Sequence, residues 1–491
     1  MKDRFQAVLH HLKSRGVEYA DVRRVAVRSE SVAVKNGRLQ SLNQGEDAGY
    51  GVRVLHKGAW GFAAAPEGDA PGGPDGRGVE EALARVADRA LAVAEAASRV
   101  NRERVRLAPS APETGAYRGL CEEDPFAVPL EEKIDLLVRA TEALAHPRTA
   151  AARGRMVFYR VEKAFASTEG AWTEQAFVDS GAGLTCTVAE GGDVQTRSFP
   201  TGHGGDFAQR GYEFIRGLGL VEAAPRLLEE ARALLSAPPV PAGEWDVILE
   251  SSQLCLQVHE SCGHAIELDR VFGDEISLAG GSFLTTDKRG SFRYGSDRVH
   301  LYADATLPGA LGSYGYDDEG VKARRVPVVE GGLFVGYMTS RESAARLGDE
   351  SNGCMRADSW MHIPLIRMVN LNLEPGGRGA PTLEELIADT RRGLYIATNK
   401  SWSIDDQRLH FQFGCEAAWE IRNGRLGALY KDPVYAGITP EFWKACDAVC
   451  GASEWKMWGL PNCGKGVPMQ TARVGHGAAP ARFRGVRVRS G

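Results

Sequence analysis

The chain has 491 residues, 25% of them charged and 43% hydrophobic, with 59 Lys and Arg against 64 Asp and Glu for a net charge of −5. At about 100–200 residues per domain this length implies two to four domains with ample core. A weakly acidic chain without a basic block lacks the electrostatic footprint of duplex or bilayer binding, so neither nucleic acid nor membrane is an expected partner.

Phe5, Val8, Leu9 and Leu12 have the i, i+3, i+4, i+7 spacing of an amphipathic helix. Strand-like stretches at 24–28 and 31–35 run into Asn36-Gly37, a type I′ turn signal, and then into 38–42. Residues 51–55 and 59–62 frame a second hairpin at Lys57-Gly58, so the chain begins as a helix on an antiparallel sheet. The stretch 66–78 is too rich in Gly and Pro for regular structure and reads as a mobile surface loop. Ala82, Leu83, Val86, Ala90 and Leu91 mark a helix beyond it. After a linker at 109–112 come a helix near 130–144, strands near 156–165 and 171–178, and a helix at 226–235 starting past Pro225. Residues 236–243 form a stiff proline-rich connector. Beyond it, short strands broken by glycine carry hairpin signals at Glu330-Gly331-Gly332 and Asn423-Gly424. The expected fold is α+β. Helix-on-antiparallel-sheet domains over 1–108 and 109–238 precede a β-rich, barrel or sandwich-like domain over 239–491.

The 58 glycines exceed the ~7% average and point to tight turns and close backbone approach rather than a helical bundle. Nine cysteines, an odd number scattered from Cys121 to Cys463, are not the disulfide framework of a small secreted domain. The first residues contain no apolar run of signal-peptide length, and no segment reaches ~18 apolar residues, so the expected location is cytoplasmic. In that reducing compartment a cysteine near histidines is a metal ligand or nucleophile rather than half of a bridge.

Residues 247–249 read as a strand and 251–264 as a helix carrying His259-Glu260-Ser261-Cys262-Gly263-His264. Two histidines with a glutamate beside the first are what hydrolytic zinc needs, since imidazoles hold the metal and a carboxylate takes a proton from water. In the common H-E-x-x-H helix the histidines are i and i+4, about 40° apart around the axis; here they are i and i+5, about 140° apart. They can share a metal only if the helix widens between them, and Gly263 is where a π-type bulge is tolerated. Otherwise the pair is a polar helix face. Catalytic zinc keeps three protein ligands and one open position. By residue type the third ligand stays open among Glu267, Asp269, Asp274, Glu275, His300, His362, His410, His476 and the cysteines.

With Glu267 and Asp269 behind it, the 259–264 segment resembles the H-E-x-x-x-H signature of the TldD/PmbA metallopeptidases. Residues 21–62 resemble that family's N-terminal domain, and Gly312 to Val321, reading GSYGYDDEGV, resembles its central D-D-E-G segment. Asn462-Cys463-Gly464-Lys465-Gly466 resembles its C-G-K segment, and the pieces follow the family's order. The resemblance implies Zn2+ held by His259, His264 and Cys463, with Glu260 as the general base on water. It also implies a peptidase acting on unfolded or short peptides laid along a sheet edge, and a homodimer or a heterodimer with a PmbA-like paralogue. Lys465, Tyr314 and Tyr395 are candidate substrate contacts by residue type alone. The stretch 466–477 departs from the family's usual pattern, which leaves the cleft lining open.

Rival readings are a non-catalytic binding or scaffold subunit with a structural zinc, which needs a fourth protein ligand, and a nucleic-acid regulator, which the charge opposes. The remaining cysteines read as small buried residues, Trp443, Trp455 and Trp458 as core or dimer contacts, and His476 as a surface-loop histidine. Residues 482–489 read as an exposed alternating strand.

Overall fold

The computed structural model describes residues 1–69, 77–278 and 280–491. Helix α1 (Lys2–Ser14) buries Phe5, Val8, Leu9 and Leu12, as their spacing predicts. Strands β1 (Tyr19–Lys35), β2 (Arg38–His56) and β3 (Ala59–Pro66) follow. Their turns place Asn36 and Gly37 at φ 51° and 72°, and Lys57 and Gly58 at 52° and 73°, the paired positive φ of the type I′ hairpin. The short strands expected at 24–28 and 31–35 are one strand of 17 residues. Of the loop expected at 66–78, Glu67–Asp69 is a 3-10 turn, and 70–76 lie outside the described residues.

Helix α2 (Arg77–Ala97), strand β4 (Thr114–Arg118), helix α3 (Leu130–Glu142), strands β5 (Thr149–Ser167), β6 (Trp172–Glu190), β7 (Asp193–Phe199) and β8 (Asp206–Ala208), and helix α4 (Leu220–Ser236) come next. The sheet runs β3-β2-β1-β5-β6-β4, with β7 and β8 also on β6. Strand β1 pairs with β5 from Asp21 opposite Ser167 to Lys35 opposite Arg153. One sheet therefore crosses the division expected at residue 108, while the apolar residues of α1 and α2 and those of α3 and α4 form two separate clusters upon it. Helix α4 begins at Leu220, with Pro225 inside it rather than before it. Its buried stripe of Leu220, Ala224, Leu227, Ala231 and Leu234 outweighs the single N–H that proline removes.

The connector at 236–243 is pinned to one residue of the following domain: Val240 N donates to Lys431 O at 3.3 Å and Lys431 N to Pro238 O at 3.1 Å. Strands β9 (Gly243–Leu249), β10 (Arg392–Ile404), β11 (His410–Arg422), β12 (Arg425–Lys431), β13 (Pro433–Ile438), β14 (Lys456–Lys465), β15 (Gln470–Ala478) and β16 (Ala481–Ser490) build this domain. The order β10-β9-β16-β13-β11 closes because β11 also pairs with β10, so the architecture is a five-strand barrel rather than a sandwich. Arg482 to Arg489 lie in β16, which pairs with β9 on one side and β13 on the other and is not an exposed edge. Helix α5 (Ser251–Val258) leaves β9, is buried on every side and packs against β10 and β15. Strands β14 and β15 form a separate two-stranded hairpin.

The D-D-E-G segment ties the two halves together. Asp318 receives Lys163 at 2.9 Å and Arg23 at 3.9 Å, Glu319 receives Arg53 at 3.2 Å, and Asp21 receives the same Arg53 at 2.7 Å. Eight of the cysteines are buried; Cys121, expected to be buried too, is exposed. No helix among the described residues is long and apolar enough to cross a membrane.

Candidate metal centre

Helix α5 stops being α-helical where the chemistry starts. Residues His259–Gly263 form a π turn, closed by the His264 N–H donating to His259 O, five residues back. The wider turn returns His264 to the face of His259, and the rings stand 4.9 Å apart at 85°. Gly263 has an ordinary helical φ of −55°, so its contribution is space. A Cβ there would lie 2.1 Å from Met368 Sδ.

Each histidine has one ring nitrogen already committed. His476 Nδ1–H donates to Leu371 O at 2.9 Å, which makes its Nε2 the acceptor for His259 Nδ1–H at 2.8 Å. His264 Nδ1–H donates to Glu267 Oε2 at 3.0 Å. Both partners leave Nε2 as the lone-pair nitrogen, the way orienting groups prepare metal-binding imidazoles. Hairpin β14–β15 supplies the third donor. Cys463 Sγ lies 3.7 Å from His264 Nε2, and donor atoms of His259, His264 and Cys463 all fall within 4.8 Å of one another. Two imidazoles and a thiol, all buried, fit zinc, and with the thiolate the bound site carries a net charge of about +1.

The electrostatics favour the ligating forms. Burial pushes His259 and His476 below the ordinary histidine range. Burial alone would raise Cys463, but His264 while its ring is protonated, together with Arg367, outweighs it and leaves the thiol below its usual value. The guanidinium of Arg367 also donates to Cys463 O, fixing the strand that carries the sulfur. Burial likewise opposes ionisation of Glu267, yet Lys465, His264 and Arg270 hold its carboxyl well below the usual range.

The three donors and Glu260 line one cleft of about 390 Å³, whose walls include His203, Trp402, Arg408, Leu460 and Asn462. Glu260 is 8% exposed. The expected substrate contacts lie elsewhere. Lys465 is fully buried, giving its donors to Asp269 at 2.7 and 2.8 Å and to Ile366 O at 2.8 Å. Tyr314 donates to Gly353 O at 2.6 Å inside the core, and Tyr395 packs on Trp419 at 5.8 Å between ring centroids. None of the three lines the cleft.

Of the open third-ligand candidates, Glu267 orients His264, Asp269 holds Lys465, and Asp274 meets Arg346 at 2.5 Å on the surface. His476 is the main correction: the expected surface histidine is fully buried behind His259. A signal for it exists in strand periodicity. Ala472 sits opposite Cys463, and His476, four residues further along β15, returns to the same face.

Known families match this chain in three blocks. The PmbA/TldA metallopeptidase C-terminal domain matches residues 242–490, domain 1 matches 20–94 and the central domain 123–235. A protein of Methanothermobacter thermautotrophicus named metalloprotease is 29% identical over 486 residues, 99% of this chain and 98% of its own. A zinc metalloprotease TldD homolog of Saccharolobus solfataricus is 29% identical over 186 residues, 38% of this chain and 39% of its own. Among solved structures, TldE from Thermococcus kodakarensis superposes with a TM-score of 0.72 at 17% identity, covering 99% of both chains.

Proposed function

The chain belongs to the PmbA/TldD metallopeptidase family, and from that premise we propose that it is a zinc-dependent peptidase whose site is His259, His264, Cys463 and Glu260. The observation that carries the reading is the convergence of three buried donors within 4.8 Å, with Glu260 in the same cleft. Zinc, when bound, supplies Lewis acidity and lowers the pKa of water to ~7. The chain's own residues do the rest. His476 and Glu267 hold the two imidazoles in their ligating tautomers, and Arg367 holds the Cys463 strand. Glu260 takes the proton of the attacking water and returns it to the leaving nitrogen.

The substrate class is unfolded or short peptides, because an extended chain entering a cleft beside a strand such as β10 is recognised mainly through backbone groups. The active assembly has two subunits, either two copies of this chain or this chain with a PmbA-like paralogue. A structural zinc in a scaffold subunit would call for a fourth protein donor, and the metal-binding cluster among the described residues has three.

The test is the Glu260→Gln variant. It is expected to keep about one zinc per chain and to lose peptide hydrolysis. Metal-free wild-type protein, or a variant with full activity, overturns the mechanism.

A further inference from the structure

One wall of the cleft comes from the other half of the molecule. His203 sits in the turn between β7 and β8, strands of the large sheet, yet it lines the cleft with His259, Glu260, His264 and Cys463. Its position is built from three sides. Thr201 Oγ1 donates to Gly205 O at 2.6 Å and accepts from His203 N at 3.2 Å, which fixes the turn internally. Gly202 presses on β10, where a Cβ would lie 2.0 Å from Asn399 O. Asp206 Oδ1, at the end of the turn, accepts Gly459 N at 2.9 Å from β14, the strand of Cys463. The imidazole stands edge-on to Trp402, with centroids 5.7 Å apart at 69°.

Within this fixed turn, His203 Nε2 is buried with no hydrogen-bond partner. A buried polar atom left unpaired costs about 1–3 kcal/mol, and such atoms call for a reason. Membership of the metal cluster is not that reason, because the three donors that converge do not include His203.

We propose that His203 is a catalytic residue of this peptidase, donating a hydrogen bond through its unpartnered nitrogen to the scissile carbonyl oxygen as negative charge builds there. The proposal rests on the peptidase reading above and adds the donor that reading lacks. Water adds to the carbonyl carbon: the new O–C bond forms, the C=O π pair moves onto oxygen, and the water proton goes to Glu260. When that pair returns, the C–N bond breaks and the Glu260 proton goes to the departing nitrogen. His203 keeps its proton throughout. Burial, aided by His259, pushes its pKa down to about 4, so at neutral pH the ring is uncharged, with one N–H to give and no charge to repel a metal. A fixed donor aimed at a developing oxyanion is worth on the order of 10²–10³ in kcat.

His203→Phe keeps a ring against Trp402 and removes the donor; His203→Gln restores an amide N–H. Zinc content, kcat and KM on a quenched-fluorescent library of unstructured peptides, and affinity for a phosphinic pseudopeptide are measured alongside wild type and Glu260→Gln. The expected result is one zinc per chain in every variant and kcat down on the order of 10²–10³ in His203→Phe with KM little changed. Pseudopeptide affinity falls by a similar factor, and His203→Gln recovers about tenfold or more. A higher KM at wild-type kcat, loss of zinc from both His203 variants, or an unaltered rate in His203→Phe overturns the proposal. If Glu260→Gln is inactive while His203→Phe is not, only the role of His203 fails. A wild-type protein that cleaves no peptide removes the peptidase reading and this inference with it.

Discussion

Two of this molecule's networks of buried charge differ in what they hold in place. Where the large sheet meets the D-D-E-G segment, Arg53 is shared between Asp21 and Glu319, and Asp318 takes Lys163 and Arg23. Asp317 accepts the backbone N–H groups of Glu319, Val321 and Met355. Asp318 and Glu319 spend their oxygens on holding two halves of the chain together, and Asp317 fixes the segment that carries them. In the wall of the cleft, Glu267, Arg270, Lys465 and Asp269 are also buried, but Glu267, held by Arg270 and Lys465, spends an oxygen on His264, whose Nε2 faces the Cys463 sulfur. Buried charge there serves orientation. The first network is expected to govern stability and the second to govern metal affinity, and variants can separate the two.

The largest effect is expected from Cys463→Ala, which removes a ligand rather than its support. Zinc retention and hydrolysis should both be lost while the barrel stays folded by circular dichroism; zinc held as tightly as in wild type would break the assignment. In the first network, Arg53→Met leaves Asp21 and Glu319 buried without their cation, a loss of roughly 3–5 kcal/mol in urea unfolding. The comparison predicts unchanged zinc stoichiometry in the folded fraction of that variant, read by metal analysis.

Asp206 sharpens the boundary between the halves. Burial raises its pKa to about 6, so the folded state holds a proton that the unfolded state releases near the ordinary carboxylate value. Its stabilising contribution is present below that value and is lost as pH rises from about 4 through 6, by roughly 3 kcal/mol. Asp206→Asn keeps an acceptor for the Phe207 and Gly459 N–H groups, both of which donate to Oδ1. Denaturation midpoints of this variant against pH should lack that fall. The smallest effect belongs to His476→Ala, with roughly 10–100-fold weaker zinc binding in chelator competition and little change in unfolding free energy. An equal loss of stability in Arg53→Met and His476→Ala would erase the distinction between the networks.

The two halves also differ in how much the sequence discloses. In the large sheet, alternation and I′ turn residues announce β1 to β3, because each strand's pattern is satisfied by its immediate neighbour. What stays hidden is β1 pairing with β5, a contact across more than a hundred residues that local pattern does not encode. In the site, the spacing of His259 and His264 already demands a widened helix, and the π turn meets that demand. Cys463 is legible through family resemblance alone, since 199 residues separate it from His264. His476 and His203 escape because their placement depends on a hairpin register with a bulge between Leu460 and Cys463 and on a turn lent by the other half. Lys465 shows the opposite failure: by type it suits an oxyanion, but Asp269 and Ile366 O use its donors first.

The central claim is a three-ligand zinc site with an open position, and zinc-edge X-ray absorption on the purified holoprotein tests it most directly. The account predicts one sulfur at ~2.3 Å, two imidazole nitrogens at ~2.0–2.1 Å and a remaining light-atom ligand supplied by water, with the sulfur gone in Cys463→Ala. A spectrum without sulfur, or one with a fourth side-chain ligand closing the shell, contradicts it.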